Sequence, residues 1–168
     1  MPKSKTALKL VRPLADAETR VRDDHHASLR LWLRMLACTS QIETRVRQRL
    51  QERFATTLPR FDLMAQLERH PEGLKMNELS RLLMVTGGNV TAIVDQLEHE
   101  GLVERQSAED KRAWRIGLTA AGKKAFAEMA GEHEEWVVGL LEGLSRREQD
   151  ELLRLLARVK EQAMEKAA

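Results

Sequence analysis

A mainly α-helical chain interrupted by one small β-hairpin is what this 168-residue sequence predicts. Long segments on either side repeat apolar residues at three- and four-residue steps, the period of a helix with one buried face. A short segment near residue 115 alternates apolar and polar side chains instead, the period of a strand. Pro and Gly fall between these segments, where helices start and stop.

The elements follow in order. Residues 1–23 mix Lys, Arg, Asp, Ala and Pro13 without sustained periodicity and read as a mobile N-terminal arm. From about Asp24 a long helix is expected, with Trp32, Met35, Leu36, Ile42, Val46, Leu50 and Phe54 on one face. Pro59 suits the first turn of the next helix, where a missing N–H costs little. Phe61, Met64, Ala65 and Leu67 are its buried side, and it stops at His70-Pro71-Glu72-Gly73. A short helix over Met76–Leu83 turns Leu79, Leu82 and Leu83 inward. After Val85-Thr86-Gly87-Gly88-Asn89, a helix over Thr86–Glu100 buries Val90, Ile93, Val94 and Leu97 and ends at Gly101. Leu102–Gln106 and Ala113–Leu118 have strand character, and the polar Ser107–Arg112 segment joins them as a hairpin. Thr119 caps a helix running to about Gly143. Ser145-Arg146-Arg147-Glu148 has the S-x-x-E capping-box spacing and opens a last helix with Leu152, Leu155, Leu156, Val159 and Ala163 on one side.

Two short helices followed by a two-stranded hairpin is the arrangement of a winged helix-turn-helix. Residues 57–118 form that domain, and residues 24–56 and 119–168 form an α-helical region flanking it. These long amphipathic helices carry more apolar face than one small module can cover, which points to a dimerisation region.

Composition narrows the function. The chain is 42% hydrophobic and 32% charged, too apolar for a wholly disordered chain. No apolar run approaches the eighteen or so residues of a membrane span. A lone Cys38 leaves no disulfide framework and no cysteine-cluster zinc site. The basic N-terminus lacks the apolar core of a secretion signal, so the cytoplasm is the expected compartment. The formal net charge of +2 hides an asymmetry: residues 1–60 hold 13 basic and 6 acidic side chains, whereas residues 61–100 hold 3 and 7. Such a distribution is compatible with a nucleic-acid partner.

The stretch from Leu97 through Arg105, Leu97-Glu98-His99-Glu100-Gly101-Leu102-Val103-Glu104-Arg105, then Asp110-Lys111-Arg112-Ala113-Trp114-Arg115-Ile116-Gly117-Leu118-Thr119-Ala120-Ala121-Gly122, resembles the MarR family of bacterial transcription regulators. That family's signature is a D-x-R turn in the wing, then a strand ending in L-T and a glycine three residues on. Asp110, Arg112, Leu118, Thr119 and Gly122 match it, and Leu58-Pro59-Arg60-Phe61-Asp62-Leu63-Met64 is similar to its second helix. The resemblance covers about residues 29–165. It implies a homodimer with first and last helices interleaved, and with wings and recognition helices over a palindromic DNA operator. It also implies a repressor, released in many members by a small aromatic acid or an oxidant.

On that reading the recognition helix presents Thr86, Gly87, Gly88, Asn89, Thr91 and Ala92. Asn can pair bidentately with adenine, and Thr can meet a phosphate or a thymine methyl. Gly87 and Gly88 either let backbone approach DNA or merely form the turn. The wing offers Lys111 and Arg112 to a minor groove whose potential attracts Arg, with Arg105 and Arg115 as phosphate contacts of lower rank. For Arg112 a structural salt bridge is an equal alternative. The resemblance makes Asp110 a brace of the wing turn and sets Asp95 to pair with a wing arginine. Trp114 is expected to anchor the wing against the helices, with stacking on a base as the alternative. Arg45, Arg49 and Arg53 form a basic stripe, read as a solvated face or as an attractor for DNA phosphate or an acyl-CoA.

The resemblance further implies an effector site between the first, second and fifth helices. Here it would draw on His25, His26, Trp32, Arg34, Met35, Phe61 and Met64, an arginine or histidine holding a carboxylate beside a ring. Trp32 and Phe61 at such positions are nonetheless more often plain core residues. Oxidant sensing by Cys38 is disfavoured. No cofactor is implied, and no metal-ligand spacing or catalytic motif is present, so an enzyme is not expected. A second reading is a helical protein-interaction module that docks through Glu132, Glu134 and Glu135 without binding DNA.

Overall fold

The computed structural model describes residues 27–83, 87–107 and 114–165. The N-terminal arm, His25, His26, Thr86 and the wing tip with Asp110, Lys111 and Arg112 lie outside the described residues. The chain divides into two compact units, residues 1–43 and 44–168.

Six helices and two strands follow one another: α1 (Ala27–Phe54), α2 (Leu58–Glu68), α3 (Met76–Leu83), α4 (Gly87–His99), β1 (Val103–Ser107), β2 (Trp114–Leu118), α5 (Ala120–Leu141) and α6 (Arg146–Glu165). The mainly helical class with one hairpin is therefore correct, and α3 has the expected bounds. Pro59 is in the first turn of α2, as expected of a residue without an N–H.

In the second unit α2, α3, α4 and the hairpin share one apolar core. Leu63, Leu67, Leu79, Val90, Val94, Leu97, Val103 and Ile116 are all at most 2% exposed. A one-residue shift of α4 would expose Val90 and Val94 together, so the apolar period dictates which side of α4 faces outward. Arg60 on α2 pairs with Glu100 just beyond α4, a second tie between these helices.

The hairpin is antiparallel, pairing Val103 with Leu118, Arg105 with Ile116 and Ser107 with Trp114. A third segment joins its outer edge. Leu74 N–H donates to the Ile116 carbonyl (3.0 Å), and the Leu74 carbonyl accepts in return from Ile116 N–H (2.8 Å). This close approach needs Gly73, which has φ +78° and whose added Cβ would lie 2.9 Å from the Ile116 carbonyl oxygen.

Four elements meet at Leu102. At the end of α4, Gly101 has φ +72°, Gly101 N–H donates to Glu98 and Leu102 N–H to Leu97, both at 2.9 Å. These are the paired bonds of a Schellman stop. The Leu102 carbonyl then accepts from Thr119 N–H (3.1 Å), while Thr119 Oγ1 donates to the Gly101 carbonyl (2.7 Å) and accepts from Gly122 N–H (3.0 Å). Thr119 is thus both the cap of α5 and a tie to the end of α4. Gly122 sits so close that an added Cβ would be 1.9 Å from the Leu102 oxygen.

The capping box of α6 forms as expected: Ser145 N–H donates to Glu148 Oε2 (2.8 Å), and Glu148 N–H approaches Ser145 Oγ at 3.4 Å. Yet α6 buries none of its residues. Leu152, Leu155, Leu156 and Val159 remain 41–43% exposed in the single chain. None of the helices among the described residues is long and apolar enough to cross a membrane.

Gly122→Ala must push α5 off the Leu102 backbone, and overpacking of this kind costs about 1–3 kcal/mol or more. Thermal melting is expected to fall by roughly 5–10 °C. Gly131→Ala, within α5 with open space around its Cα, is expected to leave melting unchanged or raise it slightly. Equal behaviour of the two variants would remove the packing role assigned to Gly122.

Candidate nucleic-acid interface

Because Val90, Ile93, Val94 and Leu97 occupy the core, the opposite side of α4 is turned outward. There Gly88, Asn89, Thr91, Ala92, Asp95, Gln96 and His99 are exposed. Gly88 has nothing within 4 Å of where a Cβ would sit, and its backbone is not in the left-handed region. Among the described residues neither packing nor a left-handed backbone requires a glycine there. The outer face of the first two turns is consequently low in relief, with Asn89 as its amide-bearing side chain.

Asp95 and Glu98 would make this outer face acidic, and Arg105 on β1 answers both. It forms an ion pair with Asp95 and approaches Glu98 at 3.4 Å. The partners are over a third exposed, so the bridge contributes at most about 1 kcal/mol to stability. Its effect is geometric and electrostatic: it orients the ribbon toward α4 and neutralises carboxylate charge. The expected pairing of Asp95 with a wing arginine therefore forms, and the arginine is Arg105. Arg115 is also engaged, donating from Nη1 to the Gly73 carbonyl at 2.6 Å. It fastens the Gly73–Leu74 segment to the ribbon.

Trp114 departs from expectation. It is 60% exposed, so it does not anchor the wing against the helices. Its alternating partners Ile116 and Leu118 are buried, and the ribbon outruns the core by the rung that carries Trp114.

The basic stripe is largely committed within the second unit. Arg53 makes a two-pronged bond to Glu132 on α5, at 2.8 and 3.0 Å. Arg49 lies over the Trp136 ring, 5.7 Å from its centroid. The same pairing occupies one member of the acidic cluster on which the protein-docking reading relied.

Phe61 and Met64 are buried, at 6% and 1% exposure. Phe61 packs on Phe126 (5.5 Å between ring centroids) and on His133 (4.8 Å), and His133 in turn meets Trp136 (6.5 Å). The α5 members of this cluster were not singled out from sequence. Their signal is the spacing of Phe126, Met129, His133 and Trp136 at three- and four-residue steps, a helical face that only the partner helices reveal as aromatic. In the first unit, Trp32 is 54% exposed on α1, so it is not a core residue of the single chain. Arg34 and Cys38 are exposed and Met35 is half-buried. Among the described residues no three His, Cys, Asp or Glu side chains converge as metal ligands.

Burial pushes the His133 imidazole pKa below its usual value, with the Asp62 carboxylate partly opposing. A depressed pKa means the unfolded chain takes up the proton first as pH falls. The contribution to stability is intact above the unfolded value of about 6.5 and is lost below it. Melting temperature is expected to decline from pH 7 toward pH 5, and His133→Phe to flatten that decline. An unchanged pH profile in the variant would show that His133 carries no such linkage.

Comparison with known proteins agrees with this geometry. The MarR family model matches residues 56–113. A Bacillus subtilis protein, the uncharacterized HTH-type transcriptional regulator YkoM, is 35% identical over 83 residues, which span 49% of this chain and 54% of that relative. The crystal structure of a MarR family transcriptional regulator from Silicibacter pomeroyi is 30% identical, with a TM-score of 0.70, covering 85% of this chain and 99% of the other. The Staphylococcus aureus MepR–DNA complex shares the fold at 23% identity, with a TM-score of 0.66 over 84% of this chain and 99% of that one. Winged-helix architecture and near end-to-end similarity at 30% identity lead to one conclusion: the chain belongs to the MarR family of transcriptional regulators.

Proposed function

We propose that the protein is a homodimeric, sequence-specific DNA-binding repressor that acts in the cytoplasm on a palindromic operator. The observation that carries this reading is the outer face of α4: small or amide-bearing at Gly88, Asn89, Thr91 and Ala92, open around Gly88 among the described residues, and with the Asp95 carboxylate paired by Arg105. A helix so presented fits a major groove, and backbone can approach phosphate where side chains are absent. The MepR complex shows a relative with the same fold on DNA. Lys111 and Arg112 would serve the wing in a minor groove, Asp110 bracing their turn. Thr86 and Gly87 would open the reading helix, with Arg115 near the adjacent phosphates.

Dimerisation is supported by what a single chain leaves uncovered. Helices in proteins draw most of their stability from packing an amphipathic face, and among the described residues that face of α6 is open at Leu152, Leu155, Leu156 and Val159. The exposed Leu29, Trp32 and Leu36 of α1 are in the same situation. Release by a small aromatic carboxylate or its CoA thioester is supported by the aromatic cluster of Phe61, Phe126, His133 and Trp136 with Arg49 beside it. Trp32, Arg34, Met35 and Met64, with His25 and His26, are the further candidates for such a ligand.

Selection from random duplex DNA is the test. The wild-type protein is expected to enrich a palindrome and to lose affinity with salt at a log–log slope of about −0.9 per neutralised phosphate. Asn89→Ala should cost roughly 1–3 kcal/mol and relax preference at one base position. Arg112→Ala should weaken binding across sequences. Failure to enrich any sequence, together with salt-independent binding, would refute the function. A thermal-shift screen of aromatic acids and their CoA thioesters tests the effector, since a ligand of the folded dimer raises its melting temperature.

A further inference from the structure

Two charged side chains of the second unit stand where helix electrostatics disfavour them. Arg60 lies in the first turn of α2, and Glu100 follows directly on the end of α4. One is a cation at the positive end of a helix dipole, the other an anion at a negative end. The two pair with each other. The Arg60 side chain is only 16% exposed, and its Nε is buried with no hydrogen-bond partner among the described residues. Stability does not account for the pair. Its carboxylate is 44% exposed, bridges so open to water contribute little, and an unpaired buried N–H subtracts from what remains. An apolar side chain at position 60 would fill the same space without these penalties.

What the pair supplies is direction. The buried Val90, Ile93, Val94 and Leu97 settle which side of α4 faces inward, but apolar contacts are non-directional and leave the tilt of the axis less defined. The Leu102 junction ties the end of α4 to the head of α5, a pivot rather than a clamp. Arg60 adds a second attachment, from α2, whose next residue Phe61 packs on Phe126 and His133 of α5. The lever beyond it is long. Asn89 and Glu100 are roughly 16 Å apart along the axis at about 1.5 Å per residue. A tilt of about 4° at Glu100 therefore moves Asn89 by about 1 Å, more than the distance range of a hydrogen bond. We propose that Arg60 is a positioning residue for DNA recognition: through Glu100 it sets the tilt of α4, and so the placing of Asn89 on a base edge, without meeting DNA itself. This rests on the DNA-binding reading above.

The test measures melting temperature and two affinities, for a duplex enriched by the wild-type protein and for the unenriched pool at low salt. Wild type is compared with Arg60→Met, Glu100→Gln and Arg60→Lys. Arg60→Met and Glu100→Gln are each expected to lower the ratio of enriched to pool affinity about tenfold, as for one lost base-edge contact. These two substitutions change the net charge in opposite directions, so a loss shared by both is not long-range electrostatics. Arg60→Lys keeps the cation and should retain more of the ratio. An unchanged ratio in Arg60→Met and Glu100→Gln, with affinities moving in opposite directions or not at all, would overturn the proposal. Should a single variant melt too low to assay, the apolar pair of Arg60→Met with Glu100→Met decides. Its melting is expected to recover while the ratio stays reduced; recovery of both would make the pair a structural part only and overturn the proposal. Failure of the wild-type protein to enrich any duplex would overturn the DNA-binding reading and the proposal together.

Discussion

The backbone junction at Leu102 is the constraint on which the second unit depends. Leu102 donates to the last turn of α4 and accepts from Thr119 at the head of α5, and Gly122 lets α5 pass against its carbonyl. The end of the outward-facing helix, both ends of the wing and the start of α5 are held within a few residues of each other. Because the ties are backbone bonds, closed by one hydroxyl and one missing side chain, they leave little rotamer freedom. Helix α4 and the ribbon are thereby one body, and Arg105 braces that body at its exposed edge.

Charge is organised locally rather than in bulk. A net charge of +2 would draw no polyanion strongly. The basic excess of the first third is partly spent inside the molecule: Arg53 holds Glu132 and Arg49 covers Trp136, both fastening α1 to α5. On the outer face of α4 the arrangement is reversed, a single arginine offsetting two carboxylates. Removing Arg105 would therefore change the field before it changed the fold.

Much of this was legible in the sequence, for particular reasons. Helix identities followed from apolar spacing at Val90, Ile93, Val94 and Leu97, and helix starts from Thr119 and Ser145, whose hydroxyls cap the turns that follow them. The pairing of Asp95 with a wing arginine was also legible, through resemblance. Trp114 was not. Alternation places it with Ile116 and Leu118, but whether a rung is buried depends on how far the ribbon projects beyond the core, which no local pattern encodes. The aromatic cluster escaped for a similar reason: Phe61, Phe126 and His133 belong to helices far apart in sequence, and only their packing makes them neighbours. Single-chain exposure of Trp32 and of the α6 leucines likewise concerns a surface that the described residues leave uncovered, which no local pattern reveals.

If α4 and the ribbon act as one reading head, and two chains present two such heads, the pattern they leave on DNA is defined. Hydroxyl-radical footprinting on the enriched duplex tests this most directly. Two symmetric protected patches should appear, their centres about one helical turn or roughly 34 Å apart, each flanked by protection at the neighbouring minor groove. A single continuous patch without two-fold symmetry, or major-groove protection with no flanking wing signal, would contradict the arrangement of helix, wing and dimer described above.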